Sequence, residues 1–127
     1  LDTKDNSSVS IDKRMLALAA EVAKDNPEKY DNRSFYLGAV GLRNDGVLVT
    51  AKNIAAKDVV PTHHAEARVV RKLTPDSIVW VARISRSTGE WTLSRPCNGC
   101  QRRMKIAGVK KVVYTIGPEE WGTIQLT

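Results

Sequence analysis

A chain of 127 residues, 42% of them hydrophobic, is long enough to bury one packed core and too short for two domains of ordinary size. It has no apolar run near the roughly 18 residues of a membrane span and no charged-then-apolar leader, and both cysteines fall in one C-x-x-C; a membrane partner and a disulfide framework are excluded, and a soluble cytoplasmic protein is the expectation. Twenty Lys and Arg against 14 Asp and Glu give a formal charge of +6, which favours anionic partners such as nucleotides or single-stranded nucleic acid without choosing between them.

The chain opens at Leu1 and not at a methionine, which leaves room for a trimmed end. Residues 1–9 are polar and aperiodic and read as a flexible lead-in, so residues 10–127 make up the single domain. Ser10 is placed to cap a helix. Ile11, Met15, Leu18 and Val22, with Leu16, Ala19, Ala20 and Ala23 beside them, form its broad apolar face, read as core packing, and the helix stops near Asp25-Asn26-Pro27.

Apolar segments at 35–42 and 47–51 flank Arg43-Asn44-Asp45-Gly46, and an Asp-Gly in that position predicts a hairpin. Pro61 and Thr62 introduce a second helix to about Lys72, with Ala65, Val69 and Leu73 on its buried side. Residues 77–85 are almost continuously apolar, which predicts a central strand buried on both faces, with Trp80 in the core. Ser87-Thr88-Gly89 interrupts the pattern before residues 90–93.

A third helix is predicted over 98–107, stopped by Gly108, and a further strand over 109–116. Only Gly117-Pro118-Glu119-Glu120 separates that strand from a short one at 121–126. Parallel neighbours need a crossover of about a dozen residues, so any strand here pairs antiparallel.

The chemistry is carried by His64-Ala65-Glu66 and Pro96-Cys97-Asn98-Gly99-Cys100. His64 and Glu66 are two apart, a spacing that serves one metal only at the first turn of a helix. Cys97 and Cys100 share a side at their spacing of three, and they open a predicted helix whose free N–H groups and positive dipole end stabilise thiolates. His64, Cys97 and Cys100 can close three corners of a zinc tetrahedron and leave the fourth to water, while Glu66 stays free to move protons. A structural zinc needs a fourth protein ligand, and His63, adjacent to His64, is poorly placed to be one. A C-x-x-C alone also suits a redox pair or a structural half-site; the upstream His-Ala-Glu and the preceding Pro96 turn the reading toward hydrolysis.

In the order H-x-E then P-C-x-x-C these residues match the signature of zinc-dependent nucleobase deaminases. The chain resembles the cytidine and deoxycytidylate deaminase superfamily, whose members act on nucleosides, nucleotides, tRNA or single-stranded DNA. The resemblance continues through Phe35-Tyr36-Leu37-Gly38-Ala39-Val40 to Asn53, similar to the family's first strand pair, and through Ala107-Gly108-Val109-Lys110-Lys111-Val112-Val113-Tyr114, similar to its helix-to-strand passage. It covers about residues 35–116.

The resemblance implies a bound zinc that lowers the pKa of its water toward about 7, attack of the resulting hydroxide on the amine-bearing carbon, and proton transfer by Glu66. It further implies that Asn53 binds the sugar, that the Ala65 N–H lies beside the base carbonyl, and that Arg95 and Pro96 form the leaving-group side, where the Arg95 carbonyl receives the departing amine. Arg95 departs from the Ser, Thr or Glu more usual in the family, and Asn53 also reads as a strand-end turn residue. An antiparallel C-terminal strand matches the free-nucleoside branch, since the tRNA and deoxycytidylate branches usually place a helix there.

Around the third helix, Arg102, Arg103, Lys105, Lys110 and Lys111 can bind phosphate or an extended strand, but cations late in a helix also form an ordinary solvated face. Tyr36 and Trp91 are candidates for stacking on a base, although 6% aromatic content is low for a single-strand platform. Trp121 is expected to pack the C-terminal strand.

The reading is a three-layer α/β/α sandwich with a mixed sheet of four to five strands, the two site helices on one face and the first helix on part of the other. Its expected function is that of a homo-oligomeric zinc hydrolase of C–N bonds in cyclic amidines, deaminating a cytosine-containing nucleoside or nucleotide. The alternatives are a deaminase of cytosine or adenine in single-stranded DNA or tRNA, and a catalytically silent zinc module.

Overall fold

The computed structural model describes residues 7–24, 35–52 and 65–127, without the side chains of residues 7–10, 66 and 67. In chain order the elements are α1 (Ser7–Lys24), β1 (Phe35–Leu42), β2 (Leu48–Lys52), α2 (Ala65–Val70), β3 (Ile78–Ser85), β4 (Trp91–Thr92), α3 (Asn98–Ile106), β5 (Lys111–Gly117) and β6 (Glu120–Gln125). One mixed sheet runs β2-β1-β3-β5-β6, and β4 adds to β3 off this path. Among the described strands only β3 and β5 pair parallel, joined by the crossover that contains α3. β6 pairs antiparallel with β5, as its short connection requires. No described helix is long and apolar enough to cross a membrane.

Side chains alternate across a strand, so β3 feeds two cores. Val79 and Val81 join Ala39, Ala65, Val69, Cys100, Met104 and Val112 beneath α2 and α3. Trp80, Ala82 and Ile84 join Leu16, Ala19, Ala20, Ala23, Val40 and Val113 beneath α1. The three layers expected from the sequence are therefore present, with α2 and α3 on one face and α1 on the other. Trp80 is buried as expected, and its indole N–H donates to Asp12 at 2.9 Å.

Two expectations for α1 need correction. The helix begins at Ser7, three residues before the predicted cap at Ser10; residues 7–10 contain neither Gly nor Pro, so nothing there stops a helical turn from extending. Ile11 is exposed, and the most deeply buried row is Leu16, Ala19, Ala20 and Ala23. The cause is close approach. A Cβ on Gly38 of β1 would lie 2.7 Å from the Ala23 nitrogen, so the small-residue row of α1 is the one that fits against the strand.

The hairpin forms as its Asp-Gly predicts. Gly46 takes φ +85°, its N–H donates to the Arg43 carbonyl at 3.0 Å, and the Arg43 N–H donates to Val47 at 2.9 Å. α3 ends with Ala107 as its C-cap and Gly108 at φ +88°, where the left-handed region favours glycine. The two-residue strand β4 was not predicted, because Ser87-Thr88-Gly89 reads as a break and two residues are too few to show alternation.

Candidate functional site

The segment from Leu93 to Cys100 leaves β4, meets β3 and β5 where their mutual pairing stops, and turns into α3. Parallel pairing of β3 with β5 extends to Val81 opposite Tyr114, and the next connection between the strands runs through Ser94. The Ser94 hydroxyl donates to the Val81 carbonyl at 2.9 Å and accepts the Thr115 N–H at 2.8 Å. The Thr115 hydroxyl donates to the Thr92 carbonyl at 2.6 Å and accepts the Arg83 N–H at 3.2 Å. Both residues are buried. Two hydroxyls thus splice the segment into the split between parallel strands, a position where α/β sheets commonly bind ligands.

Cys97 is the N-cap of α3, with φ −66° and ψ 164°, and its sulfur accepts the Cys100 N–H at 3.4 Å. A sulfur in that role faces the unsatisfied donors of a helix start. Cys97 is exposed and Cys100 is buried, so one sulfur is open to solvent and the other is backed by the core. Pro96 is buried, and its carbonyl accepts the Gln101 side-chain amide at 2.9 Å, which ties the loop to the first turn of α3.

Ala65 is fully buried in the same apolar cluster as Cys100. The residue between His64 and Glu66 in the sequence is therefore brought to the face that carries the cysteines. Asn53, His63 and His64 lie outside the described residues, as does the Glu66 side chain. Among the described residues no group of three metal-ligating side chains occurs. The two sulfurs are not joined in a disulfide, and as soft donors on one helical turn they fit two of the three zinc ligands read from the sequence.

Arg95 is exposed, and its guanidinium sits 5.6 Å from the centroid of the Tyr114 ring while donating to the Tyr114 hydroxyl at 3.1 Å. Alternation along β5 puts Tyr114 on the face of Val112, which is the face of α2 and α3. Across the ladder its partner is Gly122, where a Cβ would lie 2.8 Å from the tyrosine oxygen. Sequence reasoning found Arg95 but not Tyr114, Ser94 or Thr115; the only signal was a hydroxyl residue two positions before Pro96.

The two base-stacking candidates are elsewhere. Tyr36 and Trp91 pack against the α1-side cluster, Trp91 edge-on to Trp121 at 6.4 Å, so both serve the face opposite the cysteines. Trp121 packs the C-terminal strand as expected. Arg102, Arg103, Lys105 and Lys110 are exposed and Lys111 is half-buried.

The family model described as the cytidine and deoxycytidylate deaminase zinc-binding region matches residues 9–116. No curated protein sequence matches the chain. Among solved structures, a cytidine deaminase from Burkholderia pseudomallei is similar at TM-score 0.63 and 17% identity, covering 90% of this chain and 91% of its own. Cytidine deaminases from Mycobacterium leprae (TM-score 0.57, 19% identity, 87% and 91% covered) and Mycobacterium tuberculosis (TM-score 0.56, 18% identity, 90% and 89% covered) are also similar. At these identities the likeness is one of fold.

Proposed function

The chain belongs to the family of the cytidine and deoxycytidylate deaminase zinc-binding region, and from that premise we propose that it hydrolytically deaminates a cytosine-containing nucleoside or nucleotide. The observation that supports the reading is the burial of Ala65, which follows His64 in the sequence, in one cluster with Cys100.

His64, Cys97 and Cys100 are the residues that would hold zinc, which when bound supplies a water acidic enough to ionise near neutral pH. Glu66 would take one proton of the water and pass it to the ring nitrogen of the base, then take the second from the hydroxyl added to the carbon, as the carbonyl forms, and deliver it to the departing amine. The carbon gains oxygen and loses nitrogen, and ammonia leaves toward the Arg95 carbonyl beside Pro96. The Ala65 N–H meets the base carbonyl and Asn53 meets the sugar. With Tyr36 and Trp91 committed to the opposite face, a small substrate is favoured over an extended strand, which needs stacking platforms.

The test is ammonia release by the zinc-loaded protein from cytidine, deoxycytidine, their monophosphates, adenosine, guanine, single-stranded DNA and tRNA. Turnover of a free cytosine compound is expected, and Glu66→Ala should retain zinc while losing roughly 10²- to 10⁴-fold in rate. Conversion of polymers alone would replace this reading with the nucleic-acid one. Inactivity on every substrate with zinc bound would point to a silent module. Size-exclusion chromatography with light scattering tests the accompanying proposal of a homo-oligomer.

A further inference from the structure

β2 stands at one end of the sheet and pairs with β1 alone among the described strands. The hairpin closes with the Arg43 N–H on the Val47 carbonyl, and alternation from that pair turns the backbone groups of Val49 and Ala51 toward β1 and those of Leu48, Thr50 and Lys52 away from it. Two of the outward carbonyls are occupied by side chains of the second helix. The Lys72 ammonium donates to the Thr50 carbonyl at 2.6 Å, and the Arg68 guanidinium donates to the Lys52 carbonyl. Arg68 belongs to the last turn of α2 and Lys72 follows it by four residues. Four residues of helical rise span about 6 Å and two residues of strand about 7 Å, so cations at that spacing meet alternate carbonyls of the strand.

The strand beneath these bonds is one that a further strand would accept. Val47-Leu48-Val49-Thr50-Ala51 contains no charge and no proline, and three of its five residues are β-branched. Val47 and Leu48 are 47% and 45% exposed, so apolar side chains and outward backbone groups lie together on the edge. An edge of this kind is a template for strand addition, and antiparallel pairing about a two-fold axis lets the same strand of a second copy fill it. Charge-assisted hydrogen bonds to its carbonyls must be broken before that strand can enter. Pairing of two β2 edges would also set Arg68 and Lys72 of both copies side by side, like charge against like.

We propose that Arg68 and Lys72 close the β2 edge against a second copy of this chain, by occupying the carbonyls an incoming strand needs and by repelling the same pair on the other copy. Any oligomer of the wild-type protein is then built on other surfaces. The device belongs to the sheet and is independent of the reaction, so it stands whether or not the protein deaminates cytosine.

The test replaces the two donors in the zinc-loaded full chain with Arg68→Met and Lys72→Met, which keep an apolar stem and remove the hydrogen bonds. Sedimentation velocity over a concentration series should show the double variant associating beyond the wild-type state at about 10- to 100-fold lower concentration, with part of that shift in each single variant. Hydrogen exchange should be slower at the outward N–H groups of Leu48 and Thr50 in the associated form than in the wild type. Arg71→Met, which removes an exposed cation next to Lys72, should associate as the wild type does. Thr50→Pro, added to the double variant, removes an outward N–H while sparing the ladder with β1, and should restore wild-type behaviour. Circular dichroism and thermal melts establish which variants are folded. If the double variant is not, Lys72→Met, a change at an exposed side chain, carries the comparison with Arg71→Met. Wild-type association in the folded variants that lack the donors, equal association in Arg71→Met, or association that a folded Thr50→Pro variant leaves unchanged would each overturn the proposal.

Discussion

Ser94 and Thr115 hold each other by reciprocal hydrogen bonds: the Ser94 N–H donates to the Thr115 carbonyl at 2.9 Å, and the Thr115 N–H donates to the Ser94 hydroxyl at 2.8 Å. Because the Ser94 hydroxyl also reaches the Val81 carbonyl, one side chain satisfies two backbone groups that the parting strands would otherwise leave unmet. The residues that follow are Arg95, Pro96 and Cys97. The pair fixes where the loop leaves the sheet, and hence where the first sulfur stands.

Ser94→Ala should therefore cost about 1–3 kcal/mol, since it leaves a buried N–H and a buried carbonyl without their partner. Thr115→Val should cost a similar amount, and because the two share bonds the double variant should cost less than the sum. Urea denaturation of all four proteins, with zinc removed, gives the coupling energy. Additivity to within about 0.5 kcal/mol would mean the two hydroxyls act independently.

Gly38 meets the backbone of α1, where a Cβ would lie 2.7 Å from the Ala23 nitrogen, and backbone cannot rotate away as a side chain can. Gly38→Ala should push α1 off β1 and destabilise the domain by about 1–3 kcal/mol. The contact belongs to the face opposite the cysteines, so the zinc content of the folded fraction should be unchanged. Chemical denaturation read against metal analysis checks both parts, and a fully stable Gly38→Ala would show that the helix slides at no cost.

The parts of this molecule legible in the sequence are those set by local pattern. The Asp-Gly hairpin, the apolar run of β3 and the short connection before β6 each constrain the chain within a few residues, and each formed as expected. The cysteine turn was legible for the same reason, because Cys97 and Cys100 are one helical turn apart. What escaped depends on partners distant in sequence. The burial of α1 turns on Gly38, β4 exists only by pairing with Arg83 and Ile84, and Tyr114 acquires its role from Arg95 and Gly122. Trp91, a candidate for stacking on a base, is sent by strand alternation to the other face.

The hairpin carries a small pH dependence. The Asp45 carboxyl is held below its ordinary value of 3.8, chiefly by the Val47 N–H at 3.2 Å; desolvation opposes this next, and Arg43 at 2.7 Å lowers it further. A depressed folded-state value means that the stabilisation is present above 3.8 and is lost as pH falls through the lower, folded value. Melting temperatures of metal-free wild type and Asp45→Asn should differ at neutral pH and converge by about pH 2. The difference should be small and should shrink in high salt, because the group is solvent-exposed. A gap that widens on acidification would reverse the sign of the argument.

The two sulfurs should separate metal binding from folding. Cys97 is an exposed N-cap, a position that serine fills at least as well, so Cys97→Ser should leave metal-free stability within about 0.5 kcal/mol of wild type. Cys100 is 1% exposed within an apolar cluster, and Cys100→Ser puts a hydroxyl there at a cost of about 1–3 kcal/mol. Both variants should nevertheless lose zinc, because each removes one of the three proposed ligands. Metal analysis after dialysis, set beside denaturation of the metal-free proteins, distinguishes the two effects. If Cys97→Ser kept a full equivalent of zinc, the exposed sulfur would not be a ligand, and the assignment of the metal to this helix start would fail with it.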